Sequence, residues 1–116
     1  TKSNVLILRV LIITILITTS LLAQEFNTII TDEKSGKPML IGFTSLEAFA
    51  DTSFSWWWNS EYNLYSVDSS LITAVESKLE NVHIEIVLGT WCSDSRREVP
   101  HFFKILEAVD YPVDSV

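Results

Sequence analysis

Only one side chain in this 116-residue sequence is a strong nucleophile in its ionised form, and it is the single cysteine, Cys92. A thiolate attacks disulfides and a thiol does not, so the question for Cys92 is whether its surroundings lower a pKa that is ordinarily near 8.5. Its neighbours are Trp91, Ser93, Asp94, Ser95, Arg96 and Arg97, and Pro100 follows eight residues on. A helix beginning just after Cys92 would present unpaired amides and the positive end of its dipole to the sulfur. Arg96 and Arg97 would add positive charge, and the Ser95 hydroxyl, three residues on, shares a helix face with Cys92 and can donate to sulfur. Asp94 acts in the opposite direction. The start of the helix decides how strong this is. Ser95 and Glu98 fit a capping box, which would leave Cys92 outside the helix, whereas a start at Ser93 would make Cys92 the cap. The plain alternative is a half-buried, inert cysteine.

The elements around Cys92 are those that place a side chain at the end of a strand. Val82-His83-Ile84-Glu85-Ile86-Val87-Leu88 is β-branched and mostly apolar, which predicts a strand closed by Gly89. A helix is expected from about Asp94 to Val109, with Val99, Phe102, Phe103, Leu106 and Val109 apolar. Strand, short loop and helix form one unit of an α/β fold, whose chemistry sits beyond the carboxyl ends of the strands. Upstream, Thr44-Ser45-Leu46-Glu47 has the spacing of a capping box and predicts a helix start. Phe54, Trp57, Trp58, Tyr62 and Tyr65 fall on one helical stripe, with Trp57 and Trp58 expected in the core and Trp56 partly exposed. A further helix is expected from Val67 to Leu79.

Gly89 to Leu106 resembles the exported, single-cysteine branch of the thioredoxin-like family, in which the segment reads Trp-Cys-x-Asp-Ser, basic residues, Glu-Val-Pro and an aromatic. The resemblance is specific from Ile84 to Val109 and looser back to Leu40. It implies a thioredoxin-like three-layer α/β sandwich of which this chain carries about the first half, without the C-terminal strands and last helix. It implies that Cys92 is the attacking cysteine, Trp91 its flanking aromatic and Pro100 the proline within the active-site helix. Asp94, Arg96 and Arg97 lie in the supporting positions. Ser95 stands where the family's dithiol members carry the resolving cysteine, so the expected activity is monothiol exchange of the oxidoreductase or isomerase type. A thioredoxin-fold module that binds peptides without turnover is the alternative. The family's cis-proline loop has no counterpart here.

Residues 1–23 read as a secretory signal peptide or N-terminal anchor, residues 24–43 as a lead-in segment and 44–116 as a partial thioredoxin-like domain. Lys2 and Arg9 are the only charges before Glu25, and Val10 to Ala23 carries none. A basic start before a short apolar run is the signal pattern, with cleavage expected near Ala23 and export to the periplasm or another extracytoplasmic space. An uncleaved anchor would need about 20 apolar residues, and Arg9 interrupts this stretch. A first residue of Thr1 rather than Met adds to the expectation of a piece of a longer protein.

From Gln24 onward 6 Lys and Arg face 15 Asp and Glu, a net charge of −9, which repels nucleic acid and anionic membranes. Protein or low-molecular-weight thiols and disulfides are the expected partners, with membrane only if residues 1–23 stay attached. No cofactor or metal is expected. His83 and His101 are scattered, Lys34-Ser35-Gly36-Lys37 has Thr31 where a phosphate loop needs glycine, and no Gly-x-Ser-x-Gly occurs.

Overall fold

The computed structural model describes residues 1–20 and 25–116. The expected cleavage site near Ala23 lies outside the described residues. The chain is mixed α/β, with four α-helices and a two-stranded antiparallel sheet among the described residues. Helix α1 runs Lys2–Ser20, uninterrupted by Gly or Pro, and its side chains from Lys2 to Leu11 are exposed. Among the described residues, no helix is long and apolar enough to cross a membrane.

Within the lead-in segment, β1 (Thr28–Thr31) pairs antiparallel with β2 (Pro38–Ile41), Ile29 opposite Leu40. The turn is made by Asp32, whose carboxylate accepts from the Ser35 amide at 2.9 Å, and by Gly36 at φ +67°. Asn27, at φ 62°, closes the base of the hairpin. Its Oδ1 accepts from the Ser45 amide at 2.8 Å and its Nδ2 donates to the Ser45 hydroxyl at 2.9 Å. The capping box expected at Thr44–Glu47 does not start an α-helix: the N-cap falls at Ser45 rather than Thr44, and the Ser45 amide and hydroxyl are held by Asn27. Ser45 makes no side-chain cap, and Leu46–Ala50 forms a short 3-10 turn instead.

Asp51 takes over as the cap of α2 (Thr52–Leu64), accepting from the Ser53 amide at 2.8 Å. Phe54, Trp57 and Trp58 are buried along one face of α2, and Trp56 on the other is 65% exposed. Helix α3 (Ser69–Glu76) is shorter than the Val67–Leu79 span expected for it. It is capped by Asp68 and buries none of its residues, so nothing packs to extend it.

Helix α4 (Ser93–Ala108) buries Val99, Pro100, Phe103 and Leu106. Its apolar face meets that of α2, with the Trp58 and Phe103 rings 5.4 Å apart and Phe49 stacked on Trp58 at 4.2 Å. Leu40 from β2 joins this cluster, and Ile86 and Leu88 pack against it.

The segment Val82–Leu88 does not enter the sheet. It is extended and alternates as a strand would, with Ile84, Ile86 and Leu88 half-buried and His83, Glu85 and Val87 exposed. No backbone hydrogen bond joins residues 83–88 to another segment among the described residues. The side-chain pattern of a strand is present without its ladder.

Phe54 is 1% exposed. Phe54→Ala is expected to cost about 3–5 kcal/mol, whereas Phe43→Ala, on the exposed face of the hairpin, should stay within about 0.5 kcal/mol. Urea unfolding of both variants checks the contrast.

Candidate functional site

The loop before α4 is pinned from three sides. Thr90 is 1% exposed; its hydroxyl accepts from the Leu40 amide at 3.3 Å and its carbonyl accepts from Arg96 Nε at 2.5 Å. The Cys92 amide donates to the Gly89 carbonyl at 2.9 Å, closing a tight turn. The Ser95 hydroxyl accepts from the Gly89 amide at 3.2 Å, tying the end of the extended segment to the first turn of the helix. The Trp91 indole, 66% exposed, folds back over Gly89 so closely that a Cβ there would come within 3.0 Å of the ring. Any larger residue at 89 would push the indole outward.

Cys92 is the N-cap of α4, with extended dihedrals (φ −84°, ψ 124°), and its carbonyl accepts the first helical bond from the Arg96 amide at 3.0 Å. Of the two possible registers, the helix adopts the one that starts at Ser93. The half-exposed sulfur makes no capping bond of full strength. Its thiol pKa is nonetheless held below the ordinary value, first by the Ser95 amide, then by the Ser95 hydroxyl and the Asp94 amide. Partial desolvation and the Asp94 carboxylate push the other way.

Cys92, Ser95 and Asp94 therefore stand together, with Trp91 beside them. The two arginines turn to other partners. Arg96 lies over the Trp57 and Trp56 rings at 5.8 and 5.9 Å while donating to Thr90, and Arg97 bonds Asp94 at 3.1 Å and Glu98 at 2.6 Å. Neither is among the groups that lower the thiol pKa. Pro100 is fully buried inside α4, where it has no amide to give the Arg96 carbonyl one turn earlier.

The anchoring of the loop through Thr90 and the stacking of Arg96 on the α2 indoles are parts of the site that sequence reasoning missed. A lone threonine between Gly89 and Trp91 carries no pattern of its own, and the reach of Arg96 to α2 depends on tertiary packing. Among the described residues, no three His, Cys, Asp or Glu side chains are grouped to hold a metal ion. His101 bonds Glu61 at 3.1 Å and stacks on Tyr65, away from the thiol.

Comparison with protein-family models, with curated proteins and with solved structures finds no match. The chemistry of Cys92 rests on its own surroundings.

The alkylation rate of Cys92 against pH is expected to give an apparent pKa below the usual value of about 8.5. Ser95→Ala, which removes one of the two Ser95 contributions, should move it upward while the helix content stays the same.

Proposed function

We propose that this chain is a thioredoxin-like protein that carries out monothiol exchange through Cys92. The observation that carries this reading is the position of the sulfur, half-exposed at the N-cap of α4 with its pKa lowered by Ser95. The order of extended segment, tight turn, Trp-Cys and a helix with an internal buried proline supports the finer fold reading of a thioredoxin-like sandwich.

In the reaction, the Cys92 thiolate attacks one sulfur of a disulfide R–S–S–R′. A Cys92–S–S–R bond forms, the original S–S bond breaks, and R′–S⁻ leaves and takes a proton from water. Ser95 has no thiol with which to expel R, so an external thiolate R″–S⁻ must attack the R sulfur of the mixed disulfide, forming R–S–S–R″ and breaking the bond to Cys92, which leaves as the thiolate. Electrons balance without a cofactor, since one disulfide is exchanged for another. Partners of this chemistry are protein or low-molecular-weight thiols and disulfides. The basic start and apolar run of α1 support export to an oxidising compartment, where such disulfides persist.

Trp91 supports a second reading. An indole held two-thirds exposed beside Cys92 is a surface on which an extended peptide could rest without turnover.

Glutathione disulfide separates the two. Each unit of pKa depression raises the thiolate fraction about tenfold at a pH below both values and gives back part through weaker nucleophilicity, leaving about threefold. The folded protein is therefore expected to acquire a glutathione adduct on Cys92 faster than the urea-unfolded chain, and to lose it on adding dithiothreitol. A rate no faster than the unfolded chain's would favour the peptide-binding reading.

A further inference from the structure

We propose that Arg96 recognises the substrate of the exchange site, binding a carboxylate that lies about one residue from the reacting sulfur of an incoming disulfide, an assignment that rests on the exchange reading of Cys92. The site is built from α2, α4 and the loop of residues 89–92. The half-buried Arg96 side chain leans back toward the N-terminal end of α4, as helical side chains do, and its Nε donates to the Thr90 carbonyl at 2.5 Å. Its guanidinium carbon lies 5.8 and 5.9 Å from the centres of the Trp57 and Trp56 rings. With Nε taken, the two terminal nitrogens form the remaining end of the fork. They have no hydrogen-bond or ion-pair partner among the described residues. That end matches the two oxygens of a carboxylate.

The surrounding charges make the same selection. Asp94 and Glu98, the carboxylates nearest in the helix, are both bonded to Arg97, at 3.1 and 2.6 Å. Arg96 keeps its charge without a carboxylate, and it is not among the groups that lower the Cys92 pKa. A half-buried cation without an anion is costly, and stacking on the indoles offsets only part of that. An anion carried by the substrate completes the pair. Distance then sets which anion: Thr90, where the guanidinium is anchored, is two residues from Cys92, at most about 7 Å of chain. A disulfide whose reacting half-cystine stands beside an acidic residue or a terminal carboxylate spans that gap. The rest of the chain works against such a partner, because its net charge from Gln24 onward is −9. Attraction of an anion to this site is therefore local to Arg96.

Symmetric disulfides of the capped dipeptides Cys-Glu, Cys-Gln and Cys-Lys test this on the full, reduced chain. Each rate of mixed-disulfide formation on Cys92 is divided by that of β-mercaptoethanol with the same disulfide, which removes differences between the leaving thiols. At low salt the Cys-Glu disulfide is expected to react about threefold to fivefold faster than Cys-Gln, with Cys-Lys slowest. The order should flatten in about 1 M salt, which screens beyond about 3 Å. Arg96→Gln should abolish the preference for Cys-Glu, and Arg96→Lys, which keeps the charge without the fork, should weaken it. Each comparison is a ratio within one variant, so a loosened loop or an altered thiol pKa cancels. The order and its salt dependence are read on the unaltered chain. Equal relative rates with all three disulfides overturn the proposal, as does a preference for Cys-Lys or a Cys-Glu preference that survives Arg96→Gln. The uncharged Cys-Gln disulfide tests exchange at Cys92 itself: a rate no faster than the urea-unfolded chain's overturns that reading and this one with it, whereas a faster rate without the charge order overturns the role of Arg96 alone. Where the order holds, glutathione disulfide, whose glycine carboxylate lies one residue from its sulfur, distinguishes the sources. A relative rate matching Cys-Glu supports a small-molecule disulfide, and one near Cys-Gln supports an acidic protein segment.

Discussion

The packing of α4 against the aromatic face of α2 is the constraint on which the rest of the molecule depends. Phe103 lies against Trp58, and Leu106 and Phe54 are both 1% exposed, so neither helix can turn about its axis without exposing rings. A buried residue of this size contributes about 1.5–3 kcal/mol, far more than any contact at the site itself. Fixing α4 along its length fixes where its first turn points. Cys92 lies one residue before that turn, so the position of the sulfur is a consequence of aromatic burial two and three turns away.

The polar groups around this interface set direction more than they add stability. Lys104 donates to the carbonyls of Tyr62 and Tyr65 at 2.8 and 2.6 Å, satisfying the end of α2. Tyr62 donates to the Glu107 carboxylate, which pushes its phenol pKa up to about 12, and His101 reaches Glu61. These groups are partly exposed, where an ion pair or hydrogen bond contributes about 1 kcal/mol or less. Their value lies in geometry, because each links a defined turn of α4 to a defined turn of α2. One buried group is left out: Trp57 Nε1 finds no acceptor among the described residues, at a cost of about 1–3 kcal/mol. The Arg96 guanidinium over the Trp57 ring offsets part of that cost and holds Arg96 away from the thiol.

What the sequence made legible was set by local rules. The aromatic stripe of α2, the span of α4, the Ser35-Gly36 turn and the cysteine at a helix start all follow from periodicity, turn chemistry and capping, which act over a few residues. The misreadings occur where a partner from elsewhere competes. Thr44 has the spacing of a helix cap, but the N-cap falls at Ser45, whose amide and hydroxyl are held by Asn27, eighteen residues earlier in the chain. Val82–Leu88 has the composition of a strand, but a strand exists only where a second backbone meets it. Arg96 is adjacent to the thiol in sequence and belongs to Thr90 and the α2 indoles in space. Each of these depends on which distant group arrives, and no periodicity records that.

Ser95 joins the two levels. Its hydroxyl oxygen accepts from the Gly89 amide, anchoring the end of the extended segment, while its amide and hydroxyl are the two largest influences lowering the Cys92 pKa. One side chain thus ties the loop to the helix and stabilises the thiolate. A cysteine at this position would supply an internal resolving thiol, but sulfur is a weak acceptor and would hold Gly89 less well. With Gly89 loosened, the turn that seats Trp91 over it would loosen too. The choice of serine favours a fixed loop and a stabilised thiolate over internal release, and so commits any exchange at Cys92 to a second thiol from outside.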